Sequence, residues 1–382
     1  MTAALNALRA AADAFVPPCL EAIEALVTLE SPSGDAERVE RVAVRFAEEL
    51  ERRGVHVARA VAPGFGVNLI GRLAGAASSG RPLLIVGHLD TVHPVGTLAR
   101  MPFSVDGDRV TGPGVYDMKG GLAVALTALD LLRDRGLVPA RDVLFLVTCD
   151  EEIGSGTSRA LLEEKAREAF GALVLEPCVL GGAAKTRRKG VGGFGVEVRG
   201  LPAHAGIEPE AGASAIHELT GLLDRIRALA DPAQGTTINV GVIEGGTRSN
   251  VVAERARAEV DLRVWTAAEG ERVARAVRAL APANPRCTVE IAGGINRGAL
   301  ERTEASGRLF ESARRVAAAQ GWDLSEGSTG GASDGNLLSA AGCATLDGLG
   351  PDGGGAHALD EHVRRSDIAP RIALLAGLLA RL

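Results

Sequence analysis

Two apolar patterns divide the chain. Up to about residue 188, unbroken apolar runs of strand length alternate with longer helical stretches. Arg81–Gly87, Asp142–Val147 and Ala172–Leu175 are predicted strands, and Gly121–Arg135 is a predicted helix between the first two. Runs without polar alternation belong to strands buried on both faces, so the expectation is a largely parallel sheet with helices on each side, an α/β architecture. Between about 190 and 298 the succession changes. It reads strand Gly193–Arg199, helix Ala213–Leu229, strands Thr237–Ile243 and Ala256–Trp265, helix Ala268–Leu280 and strand Cys287–Ala292. This βαββαβ order is the ferredoxin-like pattern, a unit with its own core. A helix at Thr303–Gln320, a strand at Ala344–Leu346 and a helix at Asp367–Leu382 must then rejoin the first sheet. The reading is a discontinuous α/β domain over 1–188 and 299–382, interrupted by a small domain over 189–298.

Composition narrows the function. At 382 residues, with 46% hydrophobic and 24% charged, the chain suits two globular domains. Aromatics are only 3%, and 42 Lys+Arg face 48 Asp+Glu for a net charge of -6. Both features argue against nucleic acid as a partner. No run approaches the roughly 18 apolar residues of a membrane span, and the N-terminus lacks a charged segment followed by an apolar core. No membrane association and a cytoplasmic location are therefore expected. Cys19, Cys149, Cys178, Cys287 and Cys343 are widely spaced without a CxxC pair, which points to reduced, buried thiols.

The candidate chemistry lies just after predicted strands, where open α/β sheets place their ligands. His88, Asp117, the pair Glu151-Glu152 and Glu176 occupy such positions, and His357 follows the glycine-rich run 350–356. Charged groups gathered on the ends of hydrophobic strands need a counter-charge. Two imidazoles and three carboxylates without a thiolate suit zinc, or less readily Co2+ or Mn2+. A pair of divalent cations about 3.5–4 Å apart activates water and polarises a carbonyl. A carboxylate outside the ligand set must then move the proton. Adjacent glutamates fit, one as ligand and one as base.

These residues resemble a known family. Gly87-His88-Leu89-Asp90-Thr91-Val92, the run Gly112–Gly121 around Tyr116-Asp117-Met118, Asp150-Glu151-Glu152-Ile153-Gly154, Glu176-Pro177 and Gly355-Ala356-His357 are similar, in order, to the motifs of the M20 family of dizinc amidohydrolases. Arg188-Lys189-Gly190-Val191-Gly192 and the run Gly200–Gly206 most resemble its glutamate carboxypeptidase branch. The resemblance implies two Zn2+ per subunit, one held by His88 and Glu176, the other by Glu152 and His357, with Asp117 bridging. Glu151 would be the general acid/base. Asp90 would accept the His88 N–H and fix its tautomer. The bond between Asp117 and Met118 would be cis.

By the same resemblance the inserted domain would be a lid and the surface of a homodimer. His204 would polarise the scissile carbonyl in a partner subunit. Asn250 and Arg263 would hold a substrate carboxylate, a task that suits the planar guanidinium fork. Gly330 and Gly331 would offer it backbone N–H groups. Ala332 and Ser333 depart from the Gly and Thr usual in that branch. The implied reaction releases a C-terminal amino acid, foremost glutamate, from a small N-acyl or peptidyl donor. An N-acyl amino acid deacylase of the acetylornithine deacetylase or succinyl-diaminopimelate desuccinylase type is the alternative, because the catalytic residues are shared.

Three rival readings are weaker. Gly331-Ala332-Ser333-Asp334-Gly335 formally matches the serine-hydrolase nucleophile elbow, but the stretch before it is polar rather than a buried strand. The glycines of 112–114 lack the third member of a dinucleotide fingerprint. Glu151 beside a full ligand set speaks against a catalytically silent relative. His56, His93, His217 and His362 are taken as structural or exposed.

Overall fold

The computed structural model describes residues 2–77 and 80–382. The chain forms two units, one made of the residues up to Arg187 with Arg302–Thr329 and Ser333–Leu382, the other of Arg188–Glu301 with Gly330–Ala332.

The first unit is built on a six-stranded sheet in the order His56–Ala62, Gly66–Leu73, Val143–Thr148, Leu83–His88, Gly171–Val174, Thr345–Leu346. The last three pairings are parallel and the first two antiparallel. All six residues of Leu83–His88 and of Val143–Thr148 are buried. Their side chains alternate between two cores. Leu83, Ile85, Val143, Phe145 and Val147 face the helices Gly120–Asp134 and Arg365–Leu379, while Leu84, Val86, Leu144 and Leu146 face Arg159–Glu168 and Asp334–Ala340. Burial on both faces is why these strands read as unbroken apolar runs.

Two features escape the apolar pattern. The hairpin His56–Leu73 forms the antiparallel side of the sheet, and its outer strand is mostly exposed. A second, four-stranded antiparallel sheet joins Gly353–Gly354, His362–Arg364, Arg109–Thr111 and Ser104–Asp106. Its strands of two or three residues are too short to carry a periodic signal.

The second unit is a four-stranded antiparallel sheet, Thr237–Gly245, Arg255–Val264, Gly190–Arg199, Thr288–Arg297, with helices Ala215–Arg227 and Ala267–Arg278. Chain order βαββαβ with this strand order is the ferredoxin-like arrangement. One face is buried, as the alternation along Arg255–Val264 shows. Ala256, Ala258, Val260, Leu262 and Val264 pack with Val196, Val198, Leu219, Leu222 and Val273. Ser214 and Thr266 cap the two helices by accepting N–H bonds from His217 and Glu269.

Two glycines of similar helical setting have opposite roles. A Cβ on Gly121 would lie 2.0 Å from the carbonyl oxygen of Leu175, so only glycine lets the buried helix pass the strand end. A Cβ on exposed Gly221 would meet nothing within 4 Å. Gly121→Ala is therefore expected to destabilise the protein by about 2–3 kcal/mol, and Gly221→Ala to stabilise it by about 0.5–1 kcal/mol. Urea unfolding of both variants beside the wild type checks this, and equal midpoints would refute it.

Candidate dimetal active site

The parallel strands end on one edge of the sheet in register, His88 opposite Thr148. His88 is the last residue of its strand. Glu151 and Glu152 open the short turn after Val143–Thr148, and Glu176 lies two residues beyond Gly171–Val174. Asp117 sits in the irregular segment Val115–Lys119, whose Asp117-Met118 bond is cis, as the resemblance implies. His357 stands in the loop after Gly353–Gly354 at φ 65.

These side chains converge on one carboxylate. Oδ1 of Asp117 lies 3.2 Å from Nε2 of His88, and Oδ2 lies 3.4 Å from Nε2 of His357. Glu176 Oε1 is 3.6 Å from the His88 nitrogen, and Glu152 Oε2 is 3.3 Å from that of His357. Each oxygen of Asp117 thus faces one imidazole, and each imidazole in turn faces a glutamate, giving two half-sites with a shared member. Ligand atoms of His88, Asp117 and Glu152 come within 4.8 Å of one another, and so do those of His88, Glu151 and Glu176. The turn therefore brings both glutamates to the cluster.

Buried carboxylates hold this geometry. The Nδ1 of His88 lies 2.9 Å from the backbone carbonyl of Asp90 and 3.5 Å from its carboxylate. The Asp90 carboxylate instead accepts the backbone N–H groups of Glu151 and Glu152 at 3.1 and 3.2 Å and the Ser33 hydroxyl at 2.6 Å. Asp90 thus orients the imidazole through its backbone and the glutamate turn through its side chain. Asp150 takes three bonds from Thr157 and Ser158, and Asp334 accepts the hydroxyls of Thr148 and Ser155.

Proximity shifts the protonation of the metal-free cluster. Burial pushes the His88 pKa down, but Asp117, Asp90 and Glu176 outweigh it and hold the imidazolium well above the ordinary 6.5. Asp117 and Glu152 raise His357 to about 10. Burial alone would raise Asp117, and bonds from His357 and His88 bring it well below the carboxylate range. Burial keeps Glu152 raised, and its buried Oε1 has no hydrogen-bond partner among the described residues. Such an orphan costs about 1–3 kcal/mol unless something occupies it. A cation fits that atom, and the hard oxygen and imidazole donors fit Zn2+, Co2+ or Mn2+.

The remaining expected residues lie in the second unit. Exposed His204 accepts the N–H groups of Gly206 and Ile207 at Nδ1, both at 3.1 Å, so the neutral ring carries its proton on Nε2. The backbone carbonyl of Asn250 accepts from Ala205, tying its loop to that of His204. Arg263 is half-buried and paired through Nε with Asp261 at 2.9 Å. Gly330 and Gly331 are exposed, and the Gly331 carbonyl accepts from Arg188. Ser333, back in the first unit, is fully buried. It donates to Asp347 and caps Asp334–Ala340, which leaves the serine-nucleophile reading without a reactive hydroxyl.

Sequence reasoning missed Glu361. Its carboxylate is fully buried and bonded to the Asp117 segment and to His93, a histidine grouped among the structural ones. Its position four residues past His357 was the one signal in the sequence.

Paired imidazole and carboxylate sets on strand ends, with a further glutamate beside them, are a donor set that could hold a metal ion and fits a metal-dependent hydrolase. Comparison with known proteins agrees. Peptidase family M20/M25/M40 matches residues 84–381, and the chain belongs to that family. It is 31% identical to carboxypeptidase G2 of a Pseudomonas species over 98% of this chain and 91% of that one. It is 27% identical to succinyl-diaminopimelate desuccinylase of Delftia acidovorans over 79% of this chain and 82% of that one. Among solved structures, aminopeptidase PepT from Bacillus cereus shares the fold with a TM-score of 0.82, at 22% identity over 96% of this chain and 98% of its own. The protein is a peptidase or amidohydrolase of this family.

Cation binding needs neutral imidazoles, so it must expel the protons that His88 and His357 hold at pH 7. Zinc titration of the metal-free protein should release at least about one proton per chain, and affinity should fall as pH is lowered. Calorimetry in buffers of different ionisation enthalpy reads this; heats independent of buffer would contradict it. The sign for metal-free stability is the reverse. Because the folded His357 pKa is raised, its contribution is complete below about 6.5 and is lost as pH climbs through about 10.

Proposed function

We propose that the protein is a zinc-dependent, homodimeric metallocarboxypeptidase that releases C-terminal glutamate from a small N-acyl or peptidyl donor. The observation that carries the metal chemistry is the division of the Asp117 carboxylate between two His/Glu sets. The glutamate preference is supported by similarity to carboxypeptidase G2 along nearly the whole chain. Reduced, buried cysteines and the lack of any described helix long and apolar enough to cross a membrane are compatible with a cytoplasmic setting.

His88 and Glu176 would hold one Zn2+ and Glu152 and His357 the other, with Asp117 between them. When bound, the pair would activate a water molecule and polarise the scissile carbonyl. Glu151, buried and fixed by its N–H bond to Asp90, takes the proton of the attacking water and returns it to the leaving amine. His204 from a second copy donates its Nε2–H to the developing oxyanion. Asn250, Arg263 and the backbone of Gly330 and Gly331 receive the substrate carboxylate. The dimer is supported by the edge strand Thr237–Gly245, which exposes Val242 and Ile243 and offers unpaired backbone groups.

The desuccinylase relative favours a second reading, N-acyl amino acid deacylation with the same catalytic residues. A substrate panel separates them. Zinc-loaded protein is expected to release free glutamate from an N-acyl-glutamate, and a chelator should stop it. Release from acetylornithine or succinyl-diaminopimelate without release of glutamate would shift the assignment to the deacylase. Glu151→Gln should keep both metal ions and lose at least about 10²-fold in turnover; activity within a few-fold of wild type would remove Glu151 from its role.

A further inference from the structure

The segment that carries Asp117 cannot satisfy its own backbone. Gly112 and Gly114 lie at φ 146 and 74, and Asp117 and Met118 have non-helical angles, so regular helical bonding is interrupted there. Three of its N–H groups converge instead on one side chain about 245 residues further along. Oε1 of Glu361 accepts from Tyr116 N at 2.8 Å and Asp117 N at 3.0 Å, and Oε2 accepts from Gly114 N at 3.1 Å. Oε2 also lies 2.5 Å from Nε2 of His93. Glu361 is fully buried, and so is Lys119 of the same segment, whose Nζ donates to the carbonyl of Leu29.

The position of Glu361 matters as much as its bonds. It stands four residues after His357, in a turn closed by bonds from Ala358 N to Gly355 O and from Glu361 N to Ala358 O. The turn is tight, since a Cβ on Gly355 would come within 2.8 Å of Asp360. His93 stands five residues after His88, in the loop leaving that strand. One carboxylate therefore joins three loops, those that present His88, Asp117 and His357. None of its partners is a group that transfers a proton in the proposed reaction.

We propose that Glu361, with His93, is the positioning residue of the metal centre: it fixes the backbone from which Asp117 projects and thereby sets the affinity of both half-sites for divalent cations. The inference rests on the two-cation reading of the site. Groups that orient ligands in this way typically govern metal affinity by about 10–100-fold when removed. Glutamine is nearly isosteric with Glu361, but its amide nitrogen cannot accept one of the two pairs of bonds the carboxylate now takes.

The test uses the full chain with Zn2+ and Co2+ as probes. Wild type and Glu361→Gln are titrated against a chromophoric chelator, and the visible spectra of their Co2+ forms are compared. The expected result is a loss of at least about 10-fold in affinity for one or both ions with a changed Co2+ spectrum. At saturating metal, kcat should be lowered and KM little changed. A purely structural role would lower the melting temperature but leave affinity and spectrum of the folded protein at wild-type values, and that outcome overturns the proposal. Should Glu361→Gln fail to fold, His93→Gln carries the same measurement, with weaker binding expected and unchanged binding decisive against. A wild type that binds no metal would instead overturn the two-cation reading itself.

Discussion

The site depends on one electrostatic constraint. The Asp117 carboxylate lies between two imidazoles, and each imidazole also faces a glutamate. Removing charges from water costs several kcal/mol per ion, and only partners of opposite sign at short range offset it. Without a cation, protons on His88 and His357 supply that opposite charge, which is why both are held above their ordinary range. Metal ions and protons would therefore compete for the same ligand atoms. The buried Oε1 of Glu152, without a hydrogen-bond partner among the described residues, breaks the symmetry: two imidazolium protons leave this oxygen over, whereas a cation would have a use for it.

The fold supplies the rigidity this arrangement needs. Parallel strands in register bring His88, the Glu151-Glu152 turn and Glu176 to one edge, and cores on both faces keep the strands from shifting. The irregular segments are fixed by carboxylates rather than by packing. Asp90 holds the glutamate turn, Asp150 and Asp334 brace the residues on its C-terminal side, and Glu361 holds the Asp117 segment. Each accepts two or more bonds, and each is buried. A short loop cannot bury enough apolar surface to define itself, so polar anchors of this kind take over where the apolar pattern stops.

That division explains what was legible in the sequence. The central strands and the βαββαβ unit could be read because burial writes itself into apolar runs and alternation. The hairpin His56–Leu73 could not, since its outer strand faces solvent, nor could the small sheet around Arg109–Thr111, whose strands are too short. The ligand candidates could be found because acids and imidazoles on the ends of apolar strands are conspicuous. Glu361 lies far from any long strand, and His93 alone looks like any buried histidine. Their value comes from three backbone N–H groups far away in sequence, which no local pattern encodes. Asp90 was legible as a partner of His88 but not as the acceptor of the Glu151 and Glu152 amides, for the same reason.

Two histidines show how far backbone geometry decides chemistry. The Asp90 carbonyl takes the Nδ1–H of His88, so Nε2 is the nitrogen that faces the carboxylates and is available to a cation. His204 has the opposite arrangement: two backbone N–H groups occupy Nδ1, and the proton of the neutral ring lies on Nε2, as a donor. Identical side chains thus present Nε2 as an acceptor in one case and as a donor in the other, according to which backbone group sits beside Nδ1, a carbonyl or amides. Each choice is made by residues no more than three positions away, within its own unit. The tautomer that each neutral ring adopts is therefore set by local backbone geometry.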